Sequence, residues 1–355
     1  MAERSRSRGH NSASTTVAAD PPLASRLTLR ALQTGQASET DGADVIAGLQ
    51  QTPKVLPSKY FYDDRGSQLF DQICHVPEYY LTRTEAHILK TYAPAIAEIT
   101  GPCELVELGS GSATKTRFLL DAYGDRNQPL YYRPIDVSGG ALKQSALALL
   151  QDYPTLSIDG LMGTYEAALA QLPPATLPSR MLCFLGSTLG NLSPTQCNRL
   201  FAQVREALQP GEFFLLGVDL QKSPQQIEPA YNDREGVTAA FNLNLLRHLN
   251  WRFQADFDLD QFRHHAFYNH RAHQIEMHLQ SQCDQVVSLA ILEFSCLLRR
   301  GETIRTEISR KFDLAALRSQ LEHLPWNPDT KVFRVLEAWV DQRSWFGLLL
   351  CQIQS

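Results

Sequence analysis

The stretch Glu104-Leu105-Val106-Glu107-Leu108 runs directly into Gly109-Ser110-Gly111-Ser112, and it limits the fold of this chain more than any other segment. An apolar run that stops at Gly-Ser-Gly and continues as Ala113-Thr114-Lys115-Thr116-Arg117-Phe118-Leu119-Leu120 predicts strand, tight turn and helix. That order opens a nucleotide-cofactor site in an open α/β sheet. Glycine is needed where the backbone turns sharply and a bulky ligand approaches it closely. The third glycine of a dinucleotide fingerprint is missing, because Thr114 stands in its place. Cofactors other than a dinucleotide therefore stay open.

The segments that follow keep a strand–helix rhythm. Strands are expected at Pro129–Asp136, Leu156–Met162, Arg180–Gly186 and Glu212–Asp219. Ser138 is placed to cap one intervening helix, and Ser193-Pro194 to open another as N-cap and first helical residue. Such alternation predicts a mainly parallel, doubly wound sheet. Upstream, Ser67 is a candidate cap for a helix over Gln68–Ile73. Thr82-Arg83-Thr84-Glu85 reads as a capping box for a helix to about Ile99, with Pro94 as a possible kink.

The rhythm fails after Leu220. A helix over about Asn232–Leu249 precedes β-like segments at Asp258–Tyr268, His273–Ser281, Val286–Leu298 and Thr303–Phe312. They read as an antiparallel sheet inserted into the doubly wound domain. After a helix at Leu314–Leu324, strands at Val332–Val340 and Trp345–Ile353 suggest a hairpin forming an antiparallel edge. The expected partition is a disordered tail over 1–24, substrate-binding parts over 25–81 and 223–309, and a cofactor domain over 82–222 and 310–355.

Charge and composition exclude several classes. A net charge of −5 gives no global reason to bind nucleic acid or an anionic membrane. No run is apolar enough to span a bilayer, and the first residues lack the apolar region of a secretory signal. Seven scattered cysteines without a Cys-x-x-Cys pair suit a reducing cytoplasm. His264, His265, His270, His273 and His278 have neither helical spacing nor a cysteine partner, so no metal site is expected and a solvated hairpin is preferred.

Asp136 ends the second strand, where a carboxylate accepts hydrogen bonds from ribose hydroxyls. It could equally be a helix N-terminal charge before Ser138. Glu107 could face the same crevice. Together with Gly-Ser-Gly, these favour a bound cofactor. The missing glycine and the terminal hairpin favour S-adenosylmethionine over NAD.

Five segments then make a specific resemblance: Lys59–Ile73, Pro77–Glu85, Glu107–Gly111, Phe184–Leu192 (Phe-Leu-Gly-Ser-Thr-Leu-Gly-Asn-Leu) and Gly236–Asn244. In this order they resemble the histidine-specific Nα-methyltransferases of ergothioneine biosynthesis, from about Leu49 to the C-terminus. The resemblance implies a class I, Rossmann-like methyltransferase domain with an inserted α+β substrate-binding domain. It implies three methyl transfers from S-adenosylmethionine to the α-amine of L-histidine, giving hercynine.

Residue by residue, the resemblance implies that Gly109, Gly111, Lys115 and Asp136 hold the cofactor. Thr164-Tyr165 stands where the family commonly has Asp-Phe near the adenine; Tyr165 could still stack there. Asn191 and Tyr231 would grip the substrate carboxylate. Tyr62 would face the amine as the catalytic tyrosine, with Gly186 nearby. Tyr79, Glu307 and Ser309 would read the imidazole, and Met277 would line its pocket. Each has a plainer role open to it: packing for the tyrosines, a turn for Asn191, and a solvated strand face for Glu307 and Ser309. Three rival functions remain open. They are an NAD-dependent oxidoreductase, an N-methyltransferase of another amino acid, and a non-catalytic cofactor-binding module. A monomer acting on a small molecule is expected.

Overall fold

The computed structural model describes residues 23–32, 41–126, 129–323 and 331–355; the expected tail lies almost wholly outside them. In chain order, the first elements are α1 (Leu23–Arg26), β1 (Leu27–Ala31), α2 (Ala43–Leu49), β2 (Lys54–Val55), α3 (Asp64–His75) and α4 (Tyr80–Thr100). Next come β3 (Cys103–Leu108), α5 (Thr116–Asp125), β4 (Tyr131–Asp136), α6 (Gly139–Asp152), β5 (Ser157–Met162), α7 (Tyr165–Ala170), β6 (Ser179–Phe184), α8 (Pro194–Ala207) and β7 (Phe213–Asp219). The remainder is α9 (Pro224–Ile227), α10 (Val237–Phe253), β8 (Phe262–Asn269), β9 (Gln274–Ser281), β10 (Gln285–Leu289), β11 (Phe294–Leu298), β12 (Thr303–Arg310), α11 (Leu314–Glu322), β13 (Val332–Val340) and β14 (Phe346–Gln354).

Eight strands form one sheet in the order β1-β5-β4-β3-β6-β7-β14-β13. The pairs from β1 to β7 are parallel, and β14 and β13 close the edge antiparallel, as the sequence leads one to expect. The chain leaves β3 toward β4 and returns on its other side as β6. A crevice at the carboxyl ends of strands follows from such a reversal. Strand alternation divides the core. Leu105, Phe213 and Leu215 pack under α4, α5 and α6, whereas Val106, Leu108, Phe214 and Leu216 pack under α8 and α11.

A second sheet has the order β2-β12-β9-β8, and β10-β11 is a separate hairpin. Ile275, Met277, Leu279 and Ile304 of that second sheet share a core with Phe241, Leu245 and Leu249 of α10 and with Tyr60 and Phe61.

Four local expectations are corrected. Ser138 and Ser193 do cap their helices, with Gln196 completing a capping box at Ser193. The cap of α3, however, is Asp63, not Ser67: its Oδ1 accepts from Gly66 N at 2.6 Å. A Cβ on Gly66 would sit 1.6 Å from the Phe61 carbonyl oxygen, so only glycine closes this turn. The helix expected from Thr82 begins at Tyr80, and it runs through Pro94 to Thr100. Val286–Leu298 is two paired strands, β10 and β11, rather than one segment. Leu27–Ala31, assigned no strand from sequence, adds to the large sheet beside β5.

Glu104 lies at the heart of the large sheet and is fully buried. It accepts from Arg133 Nη1 at 2.9 Å, Arg180 Nε at 3.1 Å and Thr176 N at 2.8 Å. Removing one partner from a buried charge network leaves the others uncompensated. Glu104→Gln is therefore expected to lower the unfolding free energy by about 3–5 kcal/mol, read by urea denaturation.

Candidate active site

The glycine turn after β3 has left-handed backbone, with φ of +71° at Gly109 and +49° at Gly111. The N–H groups of Gly109 and Ser110 donate to the Ile135 carbonyl at 2.8 and 3.1 Å, which ties the turn to β4. Asp136 pins its far side. Its Oδ2 accepts from Gly111 N and its Oδ1 from Ser138 N, both at 2.9 Å. The carboxylate thus serves the helix entry and the turn together. Each of its oxygens keeps acceptor capacity for a hydroxyl. A Cβ on Gly109 or Gly111 would meet nothing within 4 Å, so this backbone face is open.

The next strand end lies beside it. Gly163 N donates to the Asp136 carbonyl at 3.0 Å. Thr164 caps α7 by accepting from Ala167 N at 3.3 Å, and Tyr165 packs its ring 5.9 Å from that of Phe184. Gly109, Gly111, Asp136, Thr164 and Tyr165 therefore occupy neighbouring strand ends of one edge. Glu107 does not face the crevice. It is buried beneath the turn and accepts from Thr116 and Tyr132 hydroxyls; burial pushes its carboxyl up to about 7, against those hydrogen bonds.

Lys115 is placed differently from Asp136. Its ammonium pairs with Glu85 of α4. Glu85, read from sequence as a capping-box carboxylate, is fully buried and accepts from Gly186 N at 2.8 and 2.9 Å. It thereby couples α4, the start of α5 and the end of β6. Gly186 has φ +78°, and a Cβ there would come 3.2 Å from Lys115 Nζ.

The other wall is built by β12. Its pairing with β9 shifts between Arg305 and Glu307, so Thr306 is an extra residue. A bulge of this kind re-aims the side chain that follows. Thr306 turns inward to donate to Asn242 Oδ1 at 2.6 Å, and Glu307 comes opposite Met277. A helical turn after β6, Thr188–Asn191, packs on this strand. A Cβ at Gly190 would lie 2.9 Å from the Arg310 carbonyl oxygen, so glycine permits the approach. The result is a hydrogen bond from Asn191 Nδ2 to Glu307 Oε1 at 3.1 Å.

Tyr231 and Ser309 also meet, hydroxyl to hydroxyl, at 2.8 Å. His264 holds Tyr231: its Nε2–H donates to the Tyr231 carbonyl at 2.8 Å, while Asn242 donates to its Nδ1 at 2.9 Å. This histidine and the buried His278 are structural, which corrects the solvated-hairpin reading for both. Tyr79 packs edge-on against Tyr231 at 6.2 Å and Phe70 at 6.4 Å; Tyr62 packs against Phe70 and Phe241, both at 6.0 Å.

Burial first, and then the Glu307 charge, raise the Tyr62 phenol well above its ordinary value. Burial likewise raises the Tyr79 and Tyr231 phenols. All three are hydroxyl donors at neutral pH and not bases. Burial pushes the Glu307 carboxyl up to about 7, and Lys311 opposes this only in part.

Sequence reasoning missed the group behind these hydroxyls. Buried Asp219, at the end of β7, pairs with Lys311 at 2.8 Å and Lys222 at 2.6 Å, and accepts from Tyr80 Oη at 2.7 Å. Lys311 Nζ also donates to Tyr231 Oη at 2.9 Å and Ser309 Oγ at 3.0 Å. The signal was present, since Glu307, Ser309 and Lys311 share a period of two.

The open glycine turn and Asp136 fit a cofactor with ribose hydroxyls. The facing wall fits a small polar molecule carrying both donors and acceptors. Residues 41–353 match the family described as "Histidine-specific methyltransferase, SAM-dependent". The chain is 41% identical over 315 residues to a histidine N-alpha-methyltransferase of Mycolicibacterium smegmatis, covering 89% of this chain and 93% of that one. It is 39% identical over 307 residues to the protein of the same name from Mycobacterium tuberculosis, covering 86% and 93%. Among solved structures, a putative methyltransferase from Thermobifida fusca aligns with a TM-score of 0.44 at 13% identity, over 87% of this chain and 98% of that one.

Because the folded-state pKa of Glu307 lies above the ordinary carboxyl value, its ionisation opposes folding. Its contribution is fully present below about 4.5 and is lost as pH rises through about 7. The stability of the parent relative to Glu307→Gln should accordingly fall between those values, as chemical denaturation across that range will read.

Proposed function

This chain belongs to the family of SAM-dependent, histidine-specific methyltransferases, and on that premise we propose that it transfers three methyl groups to the α-amine of L-histidine. The product is hercynine, and the reaction is the first step of ergothioneine biosynthesis. Gly109, Gly111, Lys115 and Asp136 would hold S-adenosylmethionine, with Thr164 and Tyr165 toward its adenine, and the cofactor would supply a methyl group activated on a sulfonium. In this reading residues 82–222 and 310–355, joined by β1, present the cofactor. Residues 25–81, apart from β1, and 223–309 hold the substrate. The enzyme acts as a cytoplasmic monomer on a small molecule, apart from membranes and nucleic acid. Among the described residues no helix is long and apolar enough to cross a membrane.

The observation that carries the reading is the Asn191–Glu307 hydrogen bond at 3.1 Å, which joins the cofactor edge to the bulged strand. Asn191 has a second amide N–H, and this grips the substrate carboxylate together with the Tyr231 hydroxyl. Glu307 accepts from one imidazole N–H, and the Ser309 oxygen lies against the other side of the ring. Met277 and Tyr79 wall the ring. With both ends held, the amine lies beside Tyr62 and Gly186, facing the glycine turn. Such positioning converts a bimolecular displacement into an oriented one.

The amine must lose a proton before it attacks. Tyr62 stays protonated, so it orients the amine and offers a π-face to the increasingly methylated nitrogen. Water removes the proton, helped by a lowered amine pKa in the site. Specificity follows from Glu307, since an apolar ring in place of imidazole leaves the buried carboxyl with Asn191 as donor but none from the substrate.

Incubation with S-adenosylmethionine and each amino acid, read by mass spectrometry, should give mono-, di- and trimethylated histidine. Methylation of tryptophan or tyrosine but not histidine, or binding of NAD but not S-adenosylmethionine, would sink the reading. Glu307→Ala should weaken histidine binding by about 100-fold or more and leave S-adenosylmethionine binding little changed, as calorimetry will show. Equal losses would mean a folding defect. Gly190→Ala, by forcing Asn191 away from β12, should reduce kcat/KM for histidine by up to about 100-fold.

A further inference from the structure

We infer that Lys311 is a positioning residue that fixes which way the Tyr231 and Ser309 hydroxyls donate. The inference rests on the placement of substrate against those two hydroxyls.

Proton counting carries it. A lysine ammonium has three N–H donors and no acceptor. Those of Lys311 find three acceptors: Asp219 Oδ2 at 2.8 Å, Tyr231 Oη at 2.9 Å and Ser309 Oγ at 3.0 Å. The ammonium is therefore held in one orientation, with its side chain wholly shielded from solvent. Burial works against its charge, but Asp219 and Tyr231 hold its pKa above the ordinary lysine value, so it stays a donor. Both hydroxyls must then spend a lone pair on Lys311. Their mutual contact at 2.8 Å uses one of their two protons. One hydroxyl proton is left, and it is free to serve a bound molecule.

The pair consequently presents a single O–H donor, polarised by a cation. Glu307 on the same strand face presents an acceptor. A molecule that offers an acceptor at one point and an N–H at another is matched, which is the pattern of a carboxylate with a neutral imidazole. Without the ammonium, each hydroxyl can reverse and donate to the other or toward Asp219. The site would then lose its polarity while keeping its shape.

Asp219 orients Lys311 and would not be orphaned by its loss. It keeps Lys222 at 2.6 Å and Tyr80 at 2.7 Å, and its backbone N donates to Ser187 Oγ at 2.9 Å. Lys311→Met is therefore expected to fold, and Lys311→Arg supplies a charge-retaining control.

The test is a double-mutant cycle on L-histidine binding, with S-adenosylhomocysteine binding measured in every variant. Lys311→Met should weaken histidine by about 10- to 100-fold, with the S-adenosylhomocysteine affinity within about 2-fold of the parent. Lys311→Arg should recover part of the loss. In a Tyr231→Phe, Ser309→Ala background, Lys311→Met should cost less than about 3-fold, because its route to substrate is already gone. Full additivity across the cycle overturns the inference, since Lys311 would then act by another path. Equal loss of cofactor binding overturns it as a structural effect. If Tyr231→Phe with Ser309→Ala leaves histidine binding unchanged while the Glu307 variant weakens it, the substrate placement at these hydroxyls has failed and the inference falls with it. If none of these variants affects histidine, the histidine reading itself has failed.

Discussion

The junction at Asp219 sets the distance between the two halves of the site. The carboxylate ends β7 of the large sheet, and one of its partners, Lys311, directly follows β12 of the small one. The backbones continue the contact, since Phe312 N donates to the Asp219 carbonyl at 2.9 Å and Gln221 N to the Phe312 carbonyl at 3.0 Å. A buried ion pair adds little net stability compared with a well-packed apolar replacement, because desolvation offsets most of the attraction. It does impose a geometry. Here that geometry brings the strand carrying Glu307 and Ser309 to the edge that carries the glycine turn.

Two backbone irregularities complete the meeting. The bulge at Thr306 lets β12 bury Ile304 and Thr306 against α10 and then turn Glu307 to the pocket. Gly190 lets the turn after β6 press against the Arg310 backbone, which a side chain would prevent. Neither feature is among the residues proposed to hold substrate. Both decide where Asn191 and Glu307 stand, and a transfer reaction that depends on alignment is sensitive to displacements of that size. Glu85 does similar work under the cofactor edge, holding Lys115 and Gly186 from a helix far away in sequence.

The large sheet was legible in the sequence because its signals are local. Apolar runs ending in Gly or Asp, Ser138 as a cap, and Ser193-Pro194 each state their structure within a few residues. β1 was illegible because it is a half-exposed edge strand whose partner lies about 130 residues later. Glu85 was misread because Thr82-x-x-Glu85 satisfies a capping pattern, whereas its actual partners, Lys115 and Gly186, are brought by the fold. Lys311 was missed although its spacing from Ser309 placed it on the same face. Its importance came from Asp219, and no local pattern links the ends of β7 and β12. The meeting of Asn191 with Glu307 needed the bulge, which is invisible in a period-two reading. The roles of Tyr62, Asn191 and Glu307 were suggested by family resemblance and not by spacing.

The central claim is that the glycine-turn edge and the bulged strand form one cleft that holds histidine at both ends with its amine toward the cofactor. A crystal structure with L-histidine and S-adenosylhomocysteine tests it most directly. The carboxylate is expected within hydrogen-bonding distance of Asn191 and Tyr231, the imidazole between Glu307 and Ser309, and the amine directed at the cofactor sulfur over Gly109 and Gly111. Histidine bound in the reverse sense, with its imidazole toward the sulfur, or bound away from β12, would contradict it.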